Sequence, residues 1–309
     1  MLSVIIPAYQ EEQMVPIAAR TVSGILEQAG IPYELVFIDD GSRDQTWDRI
    51  KEVAECAAHV RGISFSRNFG KEAAMMAGLA CAKGDACAVI DCDLQHPPEK
   101  LVEMYRLWEQ GYQVVEGVKL SRGREGVFHR VAAGIFYSII SRATGIDMRN
   151  ASDFKLMDRE VVEAVLKMPE RQFFFRAISS WVGFRSAVVE FQVQERVQGT
   201  SKWSIRSLTQ YAVTNITSFS SAPLQLVTLS GIVFLIFALA LSVQTLVKFL
   251  TGDALEGFTT VIMLQLISSS ILMLAIGIIG YYVAKIYDEV KGRPRYIVAE
   301  ETGGGVKAE

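Results

Sequence analysis

The stretch Ala86-Cys87-Ala88-Val89-Ile90-Asp91-Cys92-Asp93 joins a short apolar run to two carboxylates. The apolar run predicts a buried strand, and the acidic pair follows at the carboxyl end of that strand. Residues two apart on a strand share a face, so a bend after Ile90 would let both carboxylates converge on one cation. Carboxylate oxygens suit Mg²⁺ or Mn²⁺, which often take further ligands from substrate phosphates and water. The motif favours binding of a nucleotide diphosphate, with a solvated acidic turn as the simpler alternative.

Strands and helices alternate on both sides of this stretch. The pattern predicts strands over 2–6, 33–38, 60–66 and 86–90, and helices over 11–29, 46–58, 71–82 and 98–110. This rhythm predicts a Rossmann-like α/β fold with a mainly parallel sheet and helices on both faces. The chain has no GxGxxG and no GxxxxGK[ST] motif, which argues against a dinucleotide oxidoreductase and a P-loop ATPase.

Polar residues follow each of the four predicted strands. Ligands of such sheets bind beyond the carboxyl ends of the strands, so these residues are expected to share one site. Asp39 and Asp40 can accept hydrogen bonds from a base or ribose, or can form a turn before the helix at 46, and the two roles can coexist. The candidates at these ends before the acidic pair are Pro7, Tyr9, Glu11, Asp39, Asp40 and Lys71.

Two long segments without charge, 224–247 and 257–284, follow the α/β region. As helices of 24 and 28 residues, they would span roughly 36 and 42 Å, enough to cross a bilayer. Two buried helices of a large soluble domain are the alternative. The loop between them, 249–258, has no Lys or Arg, whereas basic residues flank the segments on the other side. The positive-inside rule therefore places both termini and the α/β domain in the cytoplasm, with a multi-pass membrane protein as the result.

The net charge argues against nucleic acid as a partner, and the apolar pattern before the uncharged segments helps to set the domain boundaries. The net charge of −3 implies no general affinity for nucleic acid. Apolar residues spaced by three and four over 205–219 predict an amphipathic helix at the membrane surface, or else a core helix. We therefore expect an α/β domain over 1–204, a juxtamembrane helix over 205–222, two transmembrane helices over 223–284 and a cytoplasmic tail over 285–309. The tail is expected to be disordered after about Ala299.

Three motifs resemble the family 2 glycosyltransferases with a GT-A fold. They are Ile5-Ile6-Pro7-Ala8-Tyr9-Gln10-Glu11, Ile38-Asp39-Asp40-Gly41-Ser42 and Asp91-Cys92-Asp93-Leu94-Gln95-His96-Pro97-Pro98-Glu99. The run Asn150-Ala151-Ser152-Asp153-Phe154-Lys155-Leu156-Met157-Asp158-Arg159 resembles the acidic motif that the family has near its acceptor. Together with Gly199-Thr200-Ser201-Lys202-Trp203 and the two apolar segments, it narrows the resemblance to polyprenyl-phosphate glycosyltransferases. These include dolichyl-phosphate mannose synthase and, most similar, the bactoprenol glucosyltransferases of bacteria.

The resemblance implies an inverting, metal-dependent transfer of glucose from UDP-glucose to undecaprenyl phosphate at the cytoplasmic membrane face. It implies that Asp93 holds Mg²⁺ or Mn²⁺, that Asp91 contacts the donor or the metal, and that Gln95 helps to bind the metal. Asp153 would orient the sugar or the acceptor, or act as a base; a helix N-cap before 154–166 is its alternative. His96 is a poor candidate, because Gln95 occupies the ligand position. The chain departs from the family at Gln10, where Asn is usual, and the family suggests a homotetramer.

A reaction between a diphosphate and a lipid monophosphate calls for basic residues near the membrane. Arginine can hold phosphate by two hydrogen bonds, although a run of charge is more often a solvated surface. The candidates for the acceptor and diphosphate are Arg122, Arg130, Arg196 and Lys202. Transfer of mannose or an amino sugar, a processive polysaccharide synthase, and a non-catalytic scaffold or flippase subunit are the alternative functions.

Overall fold

The chain divides into two units in the computed structural model, which describes residues 1–119, 152–168, 175–176, 182–192, 222–251 and 257–303. The first unit is Met1–Trp203 together with Arg293–Glu309, and the second is Ser204–Gly292. The predicted phosphate ligands Arg122, Arg130, Arg196 and Lys202 lie outside the described residues. So does the predicted juxtamembrane helix over 205–222, except for its last residue.

The first unit begins with the predicted alternation of strands and helices. The apolar runs form the strands, and each helix follows within a few residues of its predicted start. The elements are β1 (Leu2–Ala8), α1 (Met14–Gln28), β2 (Tyr33–Asp39), α2 (Thr46–Cys56), β3 (Val60–Phe65), α3 (Lys71–Cys81), β4 (Ala86–Val89), α4 (Lys100–Glu109), β5 (Val114–Lys119), β6 (Lys155–Asp158), α5 (Arg159–Leu166), β7 (Ser186–Phe191) and, after the second unit, β8 (Val298–Thr302).

The strands of this unit form one sheet in the order β7-β5-β6-β4-β1-β2-β3-β8. Strands β4, β1, β2 and β3 are parallel, and β7 is parallel to β5. Within the described residues, β6 and β8 run against their neighbours. The predicted α/β fold with a mainly parallel sheet is therefore confirmed, with these two antiparallel strands added.

The core lies on both faces of the sheet, because successive strand residues point to opposite sides. On β1, Leu2, Val4 and Ile6 pack with α1 and α4 on one face. Ile5 belongs to the cluster on the other face, which includes the buried residues of α3. The register pairs Asp39 with Ala8 of β1 and with Ser64 of β3, so the carboxyl ends of these strands lie side by side.

The end of the chain returns to the first unit. Strand β8 pairs antiparallel with β3, and the Trp47 indole donates to the Glu300 carboxylate at 2.7 Å. The ring of Tyr296 stacks on Phe65 with a centroid distance of 4.9 Å. The prediction of disorder after Ala299 is therefore wrong as far as Thr302, because these residues complete an edge of the sheet.

The second unit contains two helices, α6 (Ala222–Leu250) and α7 (Phe258–Val290). Among the described residues, Met263–Val290 is the one segment both long enough and apolar enough to cross a membrane. Helix α6 contains a shorter apolar segment, Val227–Leu241. The sequence predicts two membrane-spanning helices. Of the described helices, α7 contains a segment that meets the length and composition needed to cross a membrane, whereas the apolar segment of α6 is shorter.

Candidate active site

Hydrogen bonds from backbone N–H groups to side-chain hydroxyls join the loop after β1 to the loop after β2 and the start of α2. Gln10 donates its N–H to Ser42 Oγ at 2.9 Å, and Glu11 donates its N–H to Thr46 Oγ1 at 2.9 Å. Gln10 has a φ of +56°, a left-handed conformation that Asn and Gly adopt more readily than Gln. Tyr9 beside it is 42% exposed, so its ring is available to a ligand at the sheet edge. The two loops therefore form one connected rim at the carboxyl ends of the strands.

Asp39 and Asp40 are buried, and their oxygens bind the surrounding loops. Asp39 accepts hydrogen bonds from the Ser42 N–H at 3.0 Å and the Ser64 hydroxyl at 2.7 Å. Asp40 accepts the N–H groups of Phe69 and Gly70 at 2.6 and 2.9 Å. Burial raises the pKa of Asp40, although these two N–H groups oppose the rise. Asp39 and Asp40 therefore hold the turn that the sequence predicts before α2. Contact of these carboxylates with a nucleotide stays a prediction.

The acidic pair after β4 lies in a tight turn. The Leu94 N–H donates to the Asp91 carbonyl at 3.3 Å, and Leu94 has a φ of +54°. The Gln95 N–H donates to Asp93 Oδ1 at 3.1 Å. No group of three or more His, Cys, Asp or Glu residues that could hold a metal occurs in the described part of the chain. Two carboxylates suit a cation that takes its other ligands from substrate phosphates and water.

Lys71, at the start of α3, joins the acidic pair to Asp153. Its Nζ lies 2.6 Å from Asp91 Oδ1 and 2.9 Å from Asp153 Oδ2. Burial opposes the charge of Lys71, but the two carboxylates outweigh burial and raise the pKa of the ammonium above its ordinary value. The side chain is still 40% exposed, so a ligand can reach it. Lys71 therefore contributes a permanent positive charge between the two acidic motifs.

Asp153 is a buried carboxylate held by two cations. Arg176 donates Nε to Asp153 Oδ1 and Nη2 to Oδ2, both at 2.9 Å. Burial alone would raise the pKa of Asp153, but the charges of Lys71 and Arg176 hold it well below its usual range. Asp153 does not cap a helix: it precedes β6, and the side chain of Asp158 caps α5 by accepting the Glu160 N–H.

Sequence reasoning assigned no role to three residues of this site. Arg176 follows the aromatic run 173–175, and a charge directly after three aromatic residues was the signal available in the sequence. Glu72 follows Lys71, and burial together with the charge of Asp153 raises its pKa to about 7, with Arg176 opposing. His96 is buried 3.9 Å from Asp91 Oδ2, and its Nδ1 has no hydrogen-bond partner among the described residues. The His96 ring stacks on Phe154, so the structure brings it closer to the site than expected.

Comparisons with known proteins show the family of the chain. The profile of glycosyl transferase family 2 matches residues 3–166. The chain is 37% identical to the uncharacterized glycosyltransferase YkcC of Bacillus subtilis, with 97% of this chain and 94% of the relative covered. It is 36% identical to the bactoprenol glucosyl transferase of Shigella phage SfII, with 98% and 99% covered.

A solved structure shows the same fold. Glucosyl-3-phosphoglycerate synthase from Mycobacterium tuberculosis, in complex with Mg²⁺ and UDP, superposes with a TM-score of 0.52 at 20% identity. The match covers 71% of this chain and 79% of that one. At this identity the comparison establishes the α/β fold of the first unit.

Proposed function

The chain belongs to glycosyl transferase family 2, on the branch of the bactoprenol glucosyl transferases, and from this premise we propose that it glucosylates undecaprenyl phosphate from UDP-glucose. The relatives support a glycosyltransferase that acts on bactoprenol. The identity of the donor, UDP-glucose, is proposed in addition. The bond between the anomeric carbon and the diphosphate breaks as a bond to the lipid phosphate forms. A single displacement inverts the anomeric carbon.

One observation carries the proposal: Lys71 bridges Asp91 of the donor motif and Asp153 of the acceptor motif. A transferase must hold its two substrates within bonding distance of each other. The bridge supports one shared site in which Asp91 and Asp93 face the donor and Asp153 faces the acceptor. Lys71 would then lie beside the leaving diphosphate.

The oxygen ligands after β4 fit a divalent metal. Asp91, Asp93 and the Gln95 side chain would hold Mg²⁺ or Mn²⁺, which neutralises charge on the leaving diphosphate when bound. A protein of the same fold, glucosyl-3-phosphoglycerate synthase, binds Mg²⁺ together with UDP. The nucleotide would occupy the rim formed by Pro7, Tyr9, Glu11 and the Asp39–Asp40 turn.

The depressed pKa of Asp153 favours an orienting role over that of a base. A carboxylate held by Lys71 and Arg176 is a weak proton acceptor, because protonation would break both ion pairs. A lipid monophosphate is already an anion near neutral pH and has little need of a base. We therefore assign Asp153 the task of holding the two cations where the phosphates meet.

The acceptor phosphate would bind to Arg122, Arg130, Arg196 and Lys202. The proposal rests on residue type, since guanidinium groups bind phosphate by two hydrogen bonds. The expected position of these residues near the membrane entry also supports it.

The path of the chain supports a two-span topology with both termini on one side of the membrane, and the lack of Lys and Arg in the loop 249–258 supports the cytoplasm as that side. Residues 1–203 and the segment from Arg293 belong to one unit, with β8 paired to β3. A chain that leaves and rejoins one folded unit must cross a membrane an even number of times. If Met263–Val290 crosses, a second crossing is required, and α6 is the available helix. A homotetramer remains part of the family-based proposal.

The test is transfer by the purified full chain in detergent. Undecaprenyl phosphate is incubated with Mg²⁺ and a panel of labelled UDP-glucose, GDP-mannose and UDP-linked amino sugars. We expect one labelled sugar per lipid phosphate, from UDP-glucose. Preference for another donor would change the assigned sugar, growth of a polymer would indicate a processive synthase, and no transfer to the lipid would refute the acceptor.

A further inference from the structure

A lysine lies fully buried in the sheet beside the site. Lys155 on β6 has no exposed surface, and its Nζ lies 3.4 Å from Oε1 of Glu116, its register partner on β5. The same Nζ lies 3.4 Å from the carbonyl oxygens of Phe175 and Arg176. A buried ammonium is unfavourable unless it is paired and hydrogen-bonded, and an apolar side chain could fill this position. The contacts with the Phe175 and Arg176 carbonyls therefore point to a role for the buried ammonium in holding this backbone.

The backbone at Phe175 and Arg176 is held from a second direction. The Glu72 carboxylate on α3 accepts the N–H of Phe175, while Lys155 binds the carbonyls of the same two residues. The Phe175 ring is itself fully buried, with its centroid 5.1 Å from Lys155 Nζ. The main chain is thus fixed at both its donor and acceptor groups.

This fixed backbone determines where the Arg176 side chain can reach. Its guanidinium meets Asp153 through two hydrogen bonds of 2.9 Å, and such two-point pairing requires a specific geometry. Asp153 precedes Lys155 by two residues, so one short segment carries both the carboxylate and the anchor of its partner. A shift of the carbonyls would move the guanidinium away from the carboxylate.

We propose that Lys155 is a positioning residue for the transfer reaction: it anchors the Phe175 and Arg176 carbonyls and thereby seats the Arg176 guanidinium on Asp153. The inference rests on the proposed function, in which Asp153 and its cations surround the reacting phosphates. Lys155 has no contact with substrate in this scheme and acts through Arg176.

The test compares Lys155→Met, Arg176→Ala and the double variant in the full chain, after wild-type transfer has been established. Methionine matches the lysine stem in length and removes the charge. We expect Lys155→Met to lower kcat on the order of 10²-fold, because small displacements of catalytic groups have effects of that size. Affinity for UDP, measured by calorimetry, should stay unchanged. Lys100→Met is the matched control, because Lys100 is partly exposed and pairs with Glu103.

The double variant separates positioning from a general structural effect. If Lys155 acts through Arg176, the double variant should be no less active than Arg176→Ala, since the two changes remove one interaction. A double variant whose loss is the product of the single losses would overturn the inference, as would full activity of Lys155→Met. Should Lys155→Met fail to fold, Lys155→Gln is judged by the same criteria. A wild-type chain without transfer would refute the proposed function instead.

Discussion

Lys71 Nζ lies 2.9 Å from Asp153 Oδ2, although the two residues are 82 positions apart in the chain. The contact joins the first turn of α3 to the segment that leads into β6. It places a permanent cation against a carboxylate that is nine-tenths buried. Removing either charge would leave the other with one ion-pair partner, Arg176 for Asp153 or Asp91 for Lys71, in a partly desolvated site.

Lys71→Met should therefore impair transfer severely. We expect kcat to fall on the order of 10²–10³-fold, the usual effect of deleting one charge-stabilising group. Steady-state kinetics with the purified chain would measure it. Lys51→Met, which removes an exposed lysine paired with Asp48, should have wild-type activity. Retained activity in Lys71→Met would exclude the lysine from the reaction.

Transfer should require a divalent metal bound through Asp93. EDTA should abolish turnover, and added Mg²⁺ or Mn²⁺ should restore it, because the leaving diphosphate needs neutralisation. Asp93→Ala should be inactive with metal present yet keep the thermal stability of a folded chain, since Asp93 lies in the turn after β4 and is not part of the core. Activity of this variant, or of the wild type in excess EDTA, would be incompatible with the proposed site.

Glu72→Gln should change how stability depends on pH. The pKa of Glu72 rises from an ordinary 4.5 to about 7, so the folded state favours the protonated acid. That contribution is fully present below pH 4.5 and is lost as pH rises through 7. Glutamine stays neutral throughout, so the variant should gain about 2 kcal/mol relative to wild type between pH 5 and pH 8. Thermal melts at both pH values measure this.

The exposed substitution Glu52→Gln serves as the control for the pH experiment. It should give nearly the same difference from wild type at both pH values. If Glu72→Gln also differed from wild type by the same stability at pH 5 and pH 8, the pKa of Glu72 would not be raised in the folded state.

Gln10→Asn should stabilise the first unit. Gln10 adopts a φ of +56°, and Asn tolerates this conformation better, so we expect a gain of about 1 kcal/mol. Gln10→Val should have the opposite effect, because a β-branched side chain is poorly accommodated there. Denaturation midpoints of the three chains would compare them. Equal midpoints would mean that the loop relaxes without strain.

The two-span topology predicts which side of the membrane is labelled. In intact cells, a cysteine at Thr251 should react with an impermeant reagent, whereas one at Lys307 should not. The experiment uses a Cys56→Ser background, since Cys56 is exposed. Labelling at Lys307 but not at Thr251 would contradict this topology, because a reversed pair of spans or a single crossing by α7 would give it, and labelling at both would leave a single crossing by α6.

The sequence predicts well what depends on local pattern. Apolar runs such as 86–90 indicate the strands, and the acidic turn follows as expected. The contacts of Asp153 with Lys71 and Arg176 could not be predicted, because they join positions that only the folded sheet brings together. Strand β8 was missed for a related reason: Val298 and Glu300 are exposed, so no apolar alternation marks it. Its formation depends on the partner strand β3 and on the Trp47–Glu300 hydrogen bond.

The pairing of β8 with β3 also orders events during synthesis. Gly62 pairs with Thr302, so the edge of β3 lacks this partner until residue 302 has left the ribosome. Both long helices emerge earlier and, in the proposed two-span topology, would enter the membrane while that edge is still open. Completion of the sheet would then be a late step, and a chain that stalled before residue 298 would expose an unpaired strand edge to its neighbours.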